Sequence, residues 1–261
     1  MQGMPKQVAV VGASAEGQAL ARAAATAGFD VILIDKQQES LDKALKAIDA
    51  ELRKEGRAAG VMRISCHTAM AKASGSEFVI EAVREDREEK KKTLAEIEAA
   101  ADCIIASATS TLSITDLAGS AARPENVIGL HLPTPWSRVA ELARGLQTSE
   151  ETFKKTRALA IALGLTPVNV HDEPGRVSTR LLMAAINDSA NMLAGGVATR
   201  DDINAVTRET LGFPVFELAD RLGLDYCLDC LESLRNQTQD PRFEPSKAIR
   251  DLAWPNRKGI P

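Results

Sequence analysis

Lys6-Gln7-Val8-Ala9-Val10-Val11-Gly12-Ala13-Ser14-Ala15-Glu16-Gly17 is the stretch from which the fold can be read. Val8 to Val11 are apolar without alternation, so both faces of this strand must be covered, as in a parallel sheet flanked by helices. Gly12 closes the run, and Ala15 to Thr26 is dominated by alanine, the strongest helix former. Gly28 ends that helix, and Phe29-Asp30-Val31-Ile32-Leu33-Ile34-Asp35 reads as a second buried strand. Strand, glycine turn, helix and strand make a βαβ unit, whose crossover is right-handed.

The alternation continues outward. Ser40 to Glu55 carries Leu41, Leu45, Ile48 and Leu52 at helical spacing. Phe78 to Val83 predicts a strand, Arg87 to Ala100 a charged helix, and Cys103 to Ser107 another strand. A short helix near Ser113 to Ser120, a strand at Val127 to His131, a helix from Glu150 to Leu163 and a strand at Pro167 to Val170 come next. Beyond Pro174-Gly175 only helical signals remain, over Val177 to Gly195, Thr199 to Leu211 and Phe216 to Leu234. The stretch after Asp240, rich in Pro, Arg and Lys, is expected to gain order only by contact. The expected architecture is α/β, a doubly wound Rossmann-type domain over 1–173, followed by an all-α domain over 174–261.

Composition narrows the function classes. A net charge of −4 argues against a general nucleic-acid partner, and 3% aromatic residues argue against a base-stacking platform. Four cysteines in 261 residues, with no amino-terminal apolar segment ending in a cleavage site, lead to the expectation of a reducing cytoplasm. No apolar run reaches the ~20 residues that cross a bilayer. Cys227 and Cys230 have redox or metal spacing, but they sit inside a helical stretch with no second pair or histidine nearby. They read as ordinary thiols, and no metal is expected. Adjacent Cys66 and His67 would point to opposite faces of a strand.

Gly12-Ala13-Ser14-Ala15-Glu16-Gly17 lies where a dinucleotide fingerprint belongs, after a strand and opening a helix. The second glycine is replaced by Ser14, which predicts looser cofactor binding. Asp35 ends the second strand about 20 positions later, where a carboxylate accepts from the adenosine ribose hydroxyls. It would repel a 2′-phosphate, so the expected cofactor is NAD and not NADP.

Together with motifs further along the chain, these residues resemble the 3-hydroxyacyl-CoA dehydrogenase family, from about Lys6 to Asp229. Val79-Ile80-Glu81-Ala82-Val83-Arg84-Glu85-Asp86 is similar to its V-I-E-A-V-P-E-D/N stretch, with Lys90 in the place of the following lysine. Ala106 to Thr115 resembles A-S-N-T-S-S-L-S-I-T, and Arg123 to His131 resembles R-P-E-R-V-I-G-M-H. Pro174-Gly175 with Arg180-Leu181-Leu182, and Leu211 to Pro214 with Phe216 to Asp220, resemble two later motifs. The departures are specific. The family's H-F-F-N-P is His131-Leu132-Pro133-Thr134-Pro135, and its asparagine before R-L-L is Thr179. Ala108 replaces the asparagine before T-S-S, and the arm within Glu39 to Ser65 is short. The closing motif is reduced to Arg257-Lys258-Gly259.

His131 ends a core strand at its carboxyl end, where open α/β sheets place their ligands, and imidazole suits removal of a hydroxyl proton. The resemblance implies a His131–Glu141 dyad with Ser110 donating to the substrate oxygen. It also implies Glu85 and Lys90 near the nicotinamide ribose, and Thr134 and Thr179 at the substrate. The reaction so implied interconverts a 3-hydroxyacyl thioester and its 3-keto form, as in fatty acid metabolism. Two alternatives stand beside it: another 3-hydroxy acid or carrier-bound substrate, and an NAD(H)-binding sensor or scaffold. Surplus apolar positions in the helical domain, together with the resemblance, predict a homodimer.

Overall fold

The computed structural model describes residues 6–253, and Arg257-Lys258-Gly259 lies outside them. The chain divides between Asp172 and Glu173 into two units. The first is built on eight strands: β1 (Gln7–Val11), β2 (Asp30–Ile34), β3 (Ile64–His67), β4 (Phe78–Glu81), β5 (Ile104–Ser107), β6 (Val127–His131), β7 (Val139–Arg144) and β8 (Thr166–His171). Their order is β3-β2-β1-β4-β5-β6-β7-β8. β1 to β6 are mutually parallel, as a doubly wound sheet requires. β7 then reverses against β6, and β8 runs parallel to β7.

The unbroken apolar character of β1 has the expected cause. Val8 and Val10 pack into a core with α1 (Ala15–Thr26), α2 (Gln38–Lys54) and α5 (Glu150–Ala162). Ala9 and Val11 pack into a second core, on the opposite face, with α3 (Arg87–Ala100) and α4 (Ile114–Ala118). Leu41, Ala44, Ile48 and Leu52 of α2 are all buried, one face of a single helix.

The second unit holds α6 (Ser178–Ala194), α7 (Arg200–Leu211), α8 (Val215–Leu222), α9 (Leu224–Thr238) and α10 (Lys247–Ala253). Two expectations are corrected here. Phe216 to Leu234 is two helices, because Gly223 takes φ +95° between α8 and α9, a conformation no helix interior accepts. Within the stretch after Asp240, Phe243 and Ile249 belong to the core of this unit. Phe243 and Ile249 are 1% and 2% exposed. The buried Asn187 amide donates to the carbonyls of Arg242 and Glu244 and accepts from the Ser246 amide. Cys227 and Cys230 are buried in the same core and form no disulfide.

One charged group is enclosed in the first unit. Lys90, on the inner face of α3, is 1% exposed and contacts both oxygens of Glu81 at 2.9 and 3.2 Å. It donates also to the Val83 carbonyl and lies 3.5 Å from Glu85. Glu81, at the carboxyl end of β4, accepts further from Ser107 Oγ of β5 at 2.6 Å and from the Val83 amide. Burial works against the ammonium, but the two carboxylates hold it charged. Replacing Lys90 with Met should leave Glu81 unpaired in the interior and lower the unfolding free energy by about 3–5 kcal/mol. Urea denaturation measures this; a loss below about 1 kcal/mol, the value of an exposed pair, would mean that water relieves Glu81.

Candidate active site

The phosphate turn forms where β1 hands over to α1. Gly12 takes φ +107°, and a β-carbon there would lie 2.3 Å from the Ala82 carbonyl oxygen. A β-carbon on Gly17 would lie 2.1 Å from the Gly12 carbonyl oxygen, so α1 seats on the turn only with glycine at both positions. Ser14 is the N-cap of α1: its Oγ accepts from the Gly17 amide at 3.2 Å and donates to the Ala82 carbonyl at 2.8 Å. The hydroxyl is thus turned back toward β4. Ala15 and Glu16 begin the helix, and their amides lie in the first turn, which lacks intrahelical acceptors and suits an anion.

Asp35 follows β2. Its carboxylate accepts from the Ala13 amide at 2.9 Å and the Gln37 amide at 3.0 Å, one on each oxygen. Each oxygen keeps a lone pair for a further donor. A cavity of about 500 Å³ opens between these groups, lined by Gly12, Ser14, Asp35, Ala82 and Arg84 among others. Turn, helix terminus, carboxylate and cavity fit a dinucleotide.

His131 stands at the carboxyl end of β6, 1% exposed. Its register partner across the antiparallel ladder is Glu141 of β7. Directly opposite residues project to one face of a sheet, so pairing brings the two side chains together. Nδ1 of His131 and Oε2 of Glu141 are 3.0 Å apart. That contact leaves Nε2 as the ring nitrogen that Glu141 does not engage. β7 is not foreseen from the sequence. Its sequence, Val139, Ala140, Glu141, Leu142, Ala143 and Arg144, has one strong strand former in Val139, and the two alanines and the two charges dilute the strand signal.

Glu85 organises the neighbouring loop. Its Oε1 accepts from Thr109 Oγ1, from the amides of Ser110 and Thr111, and from the hydroxyls of Ser110 and Thr111, at 2.6–3.2 Å. Burial opposes its charge, but Lys90 and these donors outweigh it and hold the carboxyl at about 2. Ser110 is therefore oriented by Glu85, while Lys90 lies enclosed beneath it. Thr109 and Thr111 are not among the residues expected at the site, although three hydroxyls in a row are an available signal.

The backbone of Glu16 belongs to the phosphate turn, but its side chain reaches away from it. Its Oε1 accepts from the Leu132 amide at 2.7 Å, next to His131. Desolvation pushes its carboxyl up to about 7, against the pull of His131, the Leu132 amide and Lys90, and Glu85 adds to the rise. Thr134 sits in the loop after β6, its carbonyl accepting from the Ser137 amide. Thr179 lies in the first turn of α6, in the second unit. Among the described residues no group of three His, Cys, Asp or Glu is placed to hold a metal ion. Nor is any helix among them long and apolar enough to cross a membrane.

Comparison with known proteins bears on this geometry. The family model described as "3-hydroxyacyl-CoA dehydrogenase, NAD binding domain" matches residues 7–173, and that for the "3-hydroxyacyl-CoA dehydrogenase, C-terminal domain" matches residues 175–260. The chain is 36% identical to a probable 3-hydroxybutyryl-CoA dehydrogenase of Bacillus subtilis, over 94% of this chain and 91% of that one. It is 30% identical to the mitochondrial hydroxyacyl-coenzyme A dehydrogenase of Homo sapiens, over 97% and 88%. Among solved structures it is similar to the (S)-3-hydroxybutyryl-CoA dehydrogenase of Ralstonia eutropha, with a TM-score of 0.83, 31% identity and coverage of 97% and 94%. On the strength of both matched domains and these relatives, the chain belongs to the 3-hydroxyacyl-CoA dehydrogenase family and is an NAD-dependent oxidoreductase.

Proposed function

We propose that the protein interconverts a 3-hydroxyacyl thioester of coenzyme A and its 3-keto form, on a short acyl chain such as 3-hydroxybutyryl. The observation that carries the reading is the 3.0 Å contact between His131 and Glu141 at the ligand-binding end of the sheet. NAD, when bound, supplies the hydride acceptor. In the oxidative direction His131 takes the hydroxyl proton on Nε2, and Glu141 fixes the ring and stabilises the imidazolium. Ser110, oriented by Glu85, donates to the substrate oxygen. Thr134 and Thr179 offer hydroxyls to the acyl group. Gly12, Ser14, Ala15, Glu16, Gly17 and Asp35 form the cofactor turn and its ribose anchor, with Lys90 acting on the cofactor side through Glu85. A second reading, an NAD(H)-binding sensor without turnover, is favoured by hydroxyls at Thr134 and Thr179 where the family's motifs carry amide donors.

The helical unit is the proposed dimerisation surface. Val177 and Leu181 lie one turn apart at the start of α6 and are 54% and 67% exposed, while Val206 and Leu211 of α7 are 60% and 51% exposed. Four cysteines that form no disulfide, two of them close neighbours in one core, agree with a cytoplasmic setting. Light scattering should give a homodimer at micromolar concentration, and a monomer would count against the assignment.

The substrate is tested by NADH consumption with acetoacetyl-CoA. Steady turnover is expected; binding of NADH without any turnover would favour the sensor. His131→Ala should reduce turnover by about 10²–10⁴ with NADH affinity unchanged, and Glu141→Gln should reduce it by less. Turnover that His131→Ala leaves untouched would remove the imidazole from the mechanism. NADH should bind more tightly than NADPH, since Asp35 opposes the 2′-phosphate, and equal affinities in a fluorescence titration would argue that Asp35 turns away.

A further inference from the structure

Glu16 is an ionisable group that the reaction as described leaves unused. It belongs to the phosphate-turn helix, yet its carboxylate reaches 116 positions along the chain to the Leu132 amide. The residue before Leu132 is His131, so the Glu16 carboxyl sits 2.7 Å from the backbone amide that follows the residue bearing the imidazole. His131 therefore has acidic neighbours of two kinds: Glu141 of β7, in direct contact with Nδ1, and Glu16 of α1, beside the strand end. The other charged groups that act on Glu16 are Lys90 from α3 and Glu85 from the loop before α3. The amino terminus of α1 adds a partial positive charge.

We propose that Glu16 is a positioning residue for His131: the two titrate as a coupled pair, so that a proton arriving on the imidazole is answered by a proton leaving Glu16. The inference rests on His131 being the base. When the substrate O–H bond breaks, its proton bonds to Nε2 and its electron pair stays on oxygen. The Glu16 O–H bond then breaks, and that proton goes to water. A neutral acid beside a neutral imidazole becomes a carboxylate beside an imidazolium, so the net charge of the pair does not change. The Leu132 amide holds the carboxyl group in place in both states. Glu141 accepts from Nδ1–H in both states. Interacting groups of this kind release protons in steps that belong to the pair and not to either member. The direction is fixed by sign: ionised Glu16 favours the imidazolium, and the imidazolium favours ionised Glu16.

The test needs neither substrate nor turnover: an inactive protein would overturn the reading of the reaction and the use it makes of the coupling, while the coupling itself is read from the titrations alone. The full chain is labelled at its glutamate carboxyl carbons and its three histidines, and both are titrated by NMR. His131 is identified by comparison with His131→Ala, and Glu16 by comparison with Glu16→Asp. The Glu16 carboxyl is expected to titrate with a midpoint of about 7, and to move higher in His131→Ala once the cationic partner is gone. In Glu16→Gln, which keeps an acceptor for the Leu132 amide, the His131 midpoint should fall by about one unit. A Glu16 carboxyl titrating in the ordinary range near ~4.3 would overturn the proposal. So would a His131 midpoint that Glu16→Gln leaves in place. Should Glu16→Gln fail to fold, the Glu16 midpoint compared between wild type and His131→Ala decides alone.

Discussion

A single buried ammonium carries the geometry of the cleft floor. Glu81 and Glu85 are four positions apart on the same rim, and two carboxylates so close would repel each other without a cation between them. Lys90 is that cation, and its enclosure gives it strength, because no water screens it. From Glu81 the constraint passes to Ser107, tying the ends of β4 and β5. From Glu85 it passes to Thr109, Ser110 and Thr111, which fixes the loop after β5. The turn before α3 and the loop before α4 are thus held by one charge balance, and the hydroxyl of Ser110 takes its direction from it.

The wall opposite rests on a different principle. A doubly wound sheet in which every strand is parallel places successive loops at one end but gives no direct cross-strand partner from an antiparallel neighbour. The reversal of β7 supplies one, and His131 meets Glu141 by register alone. The connection between them, residues 132–138, lies outside the ladder. It can lose or gain residues without moving either side chain.

Much of this was legible in the sequence, and the rest was not, for physical reasons. β1, β2 and β4 to β6 are buried on both faces and read as plain apolar runs. The phosphate turn was legible because only glycine tolerates the backbone at Gly12 and the contact at Gly17. β7 was hidden because a strand that brings a carboxylate into a site interrupts its own apolar pattern. The division at Gly223 was hidden because α8 and α9 present apolar faces to the same core, so the periodicity runs on across the break. The reach of Glu16 to β6 was hidden for the most general reason, since a contact across 116 positions leaves no local trace.

The place of Asn187 bears on how the chain folds as it is made. Its amide closes onto backbone groups of Arg242, Glu244 and Ser246, and Phe243 and Ile249 complete the core around α6 and α9. The helical core therefore has no finished form while residue 249 is still in the ribosome. The central strand of the first unit, β1, is by contrast synthesised first, and its sheet partners emerge in order outward. At the usual pace of translation the α/β unit has several seconds to fold before the helical unit can close. Through that interval the apolar faces of α6, α8 and α9 lack the side chains of Phe243 and Ile249 that complete their core.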